Sequence, residues 1–189
     1  INADGAIRQT LSTREGLFGG MVDTTGDFNG DGSTDLLVGA PATQEVFTFA
    51  GEGSSGLVSE EMTWSVRLAA PPYWANQLRF RTSVAVADVN ADGYDDLFVG
   101  DRFFPDYSIA DGRVLLFLGG SAGLAQTPSW DSGAVGEGEN LGTALTAFTW
   151  TENDLRVTRL IVGAPANTLA QGTPPGSVIV YDFPEDIET

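Results

Sequence analysis

GDFNGDGSTDLLVGAP at 26–41 and ADVNADGYDDLFVGDR at 87–102 are two versions of one phrase. Each opens with D-x-N-x-D-G-x-x-D and runs into a short apolar stretch. The first copy supplies Asp27, Asn29, Asp31, Gly32 and Asp35, the second Asp88, Asn90, Asp92, Gly93 and Asp96. In such a loop the side chains at positions 1, 3 and 5 converge on one point. Gly at position 6 permits a sharp turn, and the carbonyl of position 7 (Ser33 or Tyr94) faces the same point. The carboxylate at position 9 closes the shell. Three carboxylates crowded this closely repel one another unless a cation lies among them. A plain hairpin turn would need one Asn-Gly or Asp-Gly pair, not four oxygen donors at fixed spacing. The reading is two calcium sites per chain.

The phrase also marks a repeat. A fainter copy, TENDLRVTRLIVGAPA, lies at 151–166. The anchoring glycines are Gly39, Gly100 and Gly163, a period of roughly sixty residues. Each copy is followed by a third apolar run, at 46–50, 112–118 and 176–181. The first two of these lead into matching turns, GSSGL at 53–57 and GSAGL at 120–124. Trp64 and Trp130 then mark a fourth strand, and 78–87 and 141–149 lead into the next repeat. Short β-rich runs separated by Gly-rich turns, with no long helical periodicity, predict an all-β fold. Four antiparallel strands repeated in tandem predict a β-propeller with three blades per chain. Repeat 1 covers 17–70, repeat 2 78–136 and repeat 3 141–189, in a single domain. Ile7 precedes Gly19 at the spacing by which Trp130 precedes Gly142, so residues 1–12 read as a stray outer strand. The third blade then lacks its fourth strand.

Composition narrows the chemistry. The 189 residues include 9 basic and 26 acidic side chains, for a net charge of −17, with no His and no Cys. All the basic residues are Arg. Zinc sites of the usual kinds, thiol or Ser-His nucleophiles and lysine Schiff bases are thereby excluded. Oxygen ligands remain, which suit hard cations. The charge argues against nucleic acid and anionic membrane surfaces. No apolar run is long enough to span a bilayer, and no n-region and h-region of a signal peptide opens the sequence at Ile1.

An EF-hand would need Glu at position 12, where Val38 and Val99 stand, and flanking helices where these flanks are β-like. DFNGDGSTDLLVGAP, the preceding LFGG at 17–20 and the repeat length instead resemble FG-GAP repeats. These are the blades of the integrin alpha-subunit propeller and of many bacterial secreted and surface proteins. The resemblance implies that each calcium loop joins the first two strands of a blade. It assigns Asp27, Asn29, Asp31, Ser33 and Asp35 to one site and Asp88, Asn90, Asp92, Tyr94 and Asp96 to the other. Complete propellers of that family have seven blades. Repeat 2 departs from the pattern in Gly100-Asp101-Arg102 and Phe80-Arg81. In repeat 3 the aligned ligand positions hold Thr151, Asn153, Leu155 and Arg159, so no ion is expected there, and Arg159 could face Glu152 or Asp154.

On the face opposite the calcium loops, Tyr73, Trp74, Phe103, Phe104 and Tyr107 form an expected ligand face of exposed aromatics; packing into a blade core is the competing reading. The function expected is a calcium-stabilised, non-enzymatic binding or adhesion module for a protein or glycan, located extracellularly or at the cell surface. The alternatives are a purely architectural blade array and a carboxylate glycosidase. The acids outside the loops show no defensible pairing for the last. Three blades are too few to close. The expected partner is a second copy completing a six-bladed ring, or other propeller blades.

Overall fold

The computed structural model describes residues 7–12, 17–40, 42–68, 83–104, 111–136, 139–153, 155–165 and 175–185. Eleven strands and a single 3-10 turn make up the regular structure of these residues. The first antiparallel sheet runs β1 (Met21–Gly26), β2 (Asp35–Ala40), β3 (Glu45–Phe49) and β4 (Trp64–Arg67) in sequence order. The second runs β5 (Ser83–Ala87), β6 (Asp96–Asp101), β7 (Arg113–Phe117) and β8 (Trp130–Asp131). The third has only β9 (Ala144–Glu152), β10 (Leu155–Ala164) and β11 (Ser177–Pro184). The registers agree: Met21 faces Gly39, Ser83 faces Gly100 and Ala144 faces Gly163. The expected all-β repeat of four antiparallel strands is present in the first two sheets, and among the described residues the third sheet has three.

The sheets stack face to face. In β6 every residue is buried, because alternate side chains enter two different cores. Leu97, Val99, Leu115 and Phe117 point toward the first sheet, where they meet Phe28, Leu37, Val46 and Trp64. Phe98, Val114 and Leu116 point the other way, onto Leu160, Val162 and Phe183 of the third sheet. The Trp64 ring stands edge-on to Phe117 with centroids 5.0 Å apart, and its Nε1 donates to the Ala125 carbonyl at 2.8 Å. Close backbone approach fixes the second junction. A Cβ on Gly100 would lie 2.1 Å from the Gly142 carbonyl oxygen, so only glycine fits.

Residues 7–12 form no strand, which corrects the expectation of a paired outer strand there. Their place is nonetheless informative. Gln9 donates from Nε2 to the Val58 carbonyl at 2.7 Å and accepts from the Val58 N–H at 3.1 Å. Val58 follows GSSGL as Ala125 follows GSAGL. Leu11 and Phe18 cover Val38, Phe47 and Phe49, the counterparts of Val99, Leu115 and Phe117. The segment thus lies on the first sheet where Trp64 and β4 lie on the second. Gln9 and Leu11 hold it there, while Ile7 is 86% exposed.

At the opposite end the third sheet shows apolar side chains to solvent. Val178 and Val180 are 69% and 51% exposed, although their register partners Gly163 and Ile161 match those of the buried Val114 and Leu116.

Candidate metal loops

Eight residues separate Gly26 from Asp35, and eight separate Ala87 from Asp96, both pairs being register partners. Each loop therefore springs from a closed antiparallel ladder and returns to it. Within the first, the Asp27 carboxylate accepts the N–H groups of Asp31 at 3.1 Å and Gly32 at 2.8 Å. Asn29 Oδ1 accepts the Asp31 N–H at 2.9 Å, and Asp31 accepts the Ser33 N–H at 2.8 Å. The second loop repeats every bond, with Asp88 accepting from Asp92 and Gly93, Asn90 from Asp92, and Asp92 from Tyr94. Gly32 and Gly93 have φ of 82° and 90°, the left-handed backbone that position 6 was expected to need.

The closing carboxylates are the best-held groups. Asp35 accepts the Phe28 N–H at 3.1 Å and the Gly51 N–H at 2.9 Å. Asp96 accepts from Val89 at 2.7 Å and Gly119 at 2.8 Å. Burial pushes both carboxyls above the ordinary value; these N–H bonds oppose it, and the loop's other two aspartates add to it. Asp96 reaches about 6. Asp31 is exposed and moves the other way, held down by the Ser33 N–H and then the Asn29 amide. Gly51 and Gly119, which supply the anchoring N–H groups, escape sequence reading because they lie past the third strand of each repeat.

Among the described residues no three acidic side chains gather around a point that could hold a metal ion. The donor set nevertheless fits a hard cation. It is all oxygen, each carboxylate oxygen has a lone pair beyond its N–H bond, and the burial and mutual repulsion that raise Asp35 and Asp96 are what a divalent charge would relieve. Asp27, Asn29, Asp31, Asp35 and the Ser33 carbonyl would hold it in one loop. Asp88, Asn90, Asp92, Asp96 and the Tyr94 carbonyl would do so in the other.

The loops are docked together. Asp95 turns away from Asp96 and accepts the Asp27 N–H at 2.8 Å, while its own N–H donates to the Asp27 carbonyl at 3.1 Å. The Tyr94 ring lies over Gly30, where a Cβ would come within 2.6 Å of it. In the third repeat a tight turn at Asn153 replaces the loop and the strands pair up to Leu155 and Glu152. Arg159, aligned with the closing carboxylates, pairs with Asp182 through two bonds of 2.7 and 2.8 Å and lies over the Trp150 ring. That partner lies directly across the ladder; the expected Glu152 side chain and Asp154 lie outside the described residues.

The aromatic face is corrected in part. Phe103 is 6% exposed and stacked under Arg102, and Phe104 is half-buried beneath Arg113, so neither presents an open ring. Arg113 is fixed there by Asp101 and Asp131, which gives the unusual Gly-Asp-Arg of repeat 2 a structural role. Tyr73, Trp74 and Tyr107 lie outside the described residues.

Residues 27–99 match the family model of FG-GAP-like repeats. Curated relatives include integrin alpha pat-2 of Caenorhabditis elegans, 34% identical over 96 residues, which is 50% of this chain and 7% of that protein. Integrin alpha-IIb of Mus musculus is 34% identical over 125 residues, 59% of this chain and 11% of its own length. Integrin alpha-7 of Homo sapiens is 34% identical over 121 residues, 61% and 9%. Residues 27–99 thus carry FG-GAP-like repeats, and the chain is similar to integrin alpha subunits over half or more of its own length while spanning about a tenth of theirs. No helix among the described residues is long and apolar enough to cross a membrane.

Proposed function

We propose that this chain is a calcium-stabilised, non-enzymatic binding module that works outside the cell or at its surface. The observation carrying the reading is the pair of equivalent oxygen-rich loops, matched bond for bond, each with a raised, buried closing carboxylate. The integrin alpha relatives support an adhesion role toward a protein or glycan. Bound calcium would supply the positive charge that the loop carboxylates lack, and Asp35 and Asp96 would tie each ion to the strand ladders. A ligand that binds only the native state raises its stability by about 2.7 kcal/mol at a hundredfold excess over Kd. Melting temperature should fall on EGTA treatment and recover with calcium, with two ions per chain by elemental analysis. Asp35→Ala and Asp96→Ala should each remove one ion. An unchanged melt with no bound metal would reject the reading.

An architectural role is favoured by a different observation, the apolar side chains that the third sheet shows to solvent. In that reading a second copy of the chain, or further blades, covers Val178 and Val180. The two roles are compatible in one protein.

A further inference from the structure

The two loops are alike inside and opposite outside. Each has a neighbour from the following repeat. Loop 1 receives Asp95, whose carboxylate reaches the Asp27 N–H at 2.8 Å and adds a fourth negative charge to those of Asp27, Asp31 and Asp35. Loop 2 receives Arg156, whose Nη2 lies 3.5 Å from Asp88 Oδ2. Arg156 is aligned with Gly93, so the repeat that has lost its own carboxylates offers a guanidinium to the loop before it. Its Nη1 is buried without a hydrogen-bond partner, so this cation is held against the loop and not saturated by anything else described there. The nearby Asp182 also lines a cavity with Val89 and Asn90, but its charge is matched by Arg159.

We propose that Arg156 is a built-in counter-cation of loop 2, so that the two loops take calcium at different concentrations: loop 1 is the tight site and loop 2 the weak one. The inference rests on the calcium reading above. Affinity in such loops follows the charge of the ligand set, and a guanidinium within about 4 Å of a ligand oxygen opposes the incoming ion directly. The ion must either displace Arg156 from Asp88 or bind beside it. Loop 1 faces no such competitor among the described side chains, and Asp95 favours the ion there.

Calorimetric titration of the full chain with calcium alone, in chelator-treated buffer, tests this. Two steps separated by about tenfold in Kd are expected. Asp35→Ala should abolish the tight step and Asp96→Ala the weak one. Arg156→Gln should tighten the weak step by about tenfold and leave the tight step in place. Asp95→Asn provides a second arm that does not touch Arg156, and it should weaken the tight step alone. Far-ultraviolet circular dichroism of each variant confirms that it folds. No calcium uptake by the wild-type chain would overturn the calcium reading itself. Two equal steps, a weak step unmoved by a folded Arg156→Gln, or loss of the tight step in Asp96→Ala would overturn this inference and leave that reading standing.

Discussion

Asp96 is fully buried, shares its loop with Asp88 and Asp92, and has its carboxyl pushed up from 3.8 to about 6. A carboxyl raised in the folded state binds its proton more tightly there than in the unfolded chain. Its contribution to stability is therefore complete below about pH 4 and is lost as pH climbs through about 6. The shift is worth about 3 kcal/mol. In chelator-treated buffer, urea unfolding should show stability declining between pH 4 and pH 6.5, and Asp96→Asn should flatten that decline. Asp35 moves in the same direction, so some slope remains in the single variant. If wild type and Asp96→Asn run parallel across the window, the buried carboxyl is not the group responsible. The residue scale was also where sequence reading reached furthest and stopped most sharply. Spacing placed the left-handed glycines and the internal hydrogen bonds of both loops, because each loop is closed by its own residues. It could not place Asp95 or Arg156, whose partners belong to another repeat.

At the scale of elements, one side chain joins the first two sheets by both ring packing and a hydrogen bond. Trp64 is buried, edge-on to Phe117, and its indole N–H has a carbonyl partner in Ala125. Trp64→Ala should cost about 3–5 kcal/mol and Trp64→Phe, which loses the hydrogen bond and part of the ring, about 1–3 kcal/mol. Chemical denaturation followed by Trp-independent circular dichroism measures both. A loss under 1 kcal/mol for the alanine variant would mean that the two sheets are not coupled through this ring. The strands themselves were legible from their apolar runs and glycine anchors, and β2, β3, β6 and β7 fall where those runs lie. The segment at 7–12 was legible in position but not in form. Its spacing to Gly19 put it beside the first sheet, yet a strand needs a ladder partner, and none is present among the described residues. Aromatics were misjudged for a related reason. Phe103 looks exposed in a Pro-containing loop, but Arg102 and the buried Asp101 draw the start of that loop back onto the sheet.

The whole molecule has two unlike ends. The first sheet's outer face is covered in part by Leu11 and Phe18, and the third sheet's outer face shows Val178 and Val180 to water. Such an apolar edge favours association, and a second copy stacked head to tail would cover it. Light scattering at tens of micromolar with calcium should give a mass near twice 19.9 kDa. Val178→Glu combined with Val180→Glu should return the mass to that of a single chain without lowering calcium uptake. A wild-type chain that stays monomeric and does not aggregate would show that this face needs no cover.

The tight turn that replaces the acidic loop in the third repeat bears on how the chain reaches its fold. Glu152 pairs with Leu155, and the ladder runs without interruption to Ala144 and Gly163. Every contact in that hairpin is local in sequence, so little loop-closure entropy opposes it, and hairpins of this kind form in microseconds. The first two sheets must instead close an acidic loop before their inner ladders can complete. Refolding should therefore begin at the C-terminal hairpin at a rate indifferent to calcium, with the two N-terminal sheets adding onto it in a slower phase that calcium accelerates.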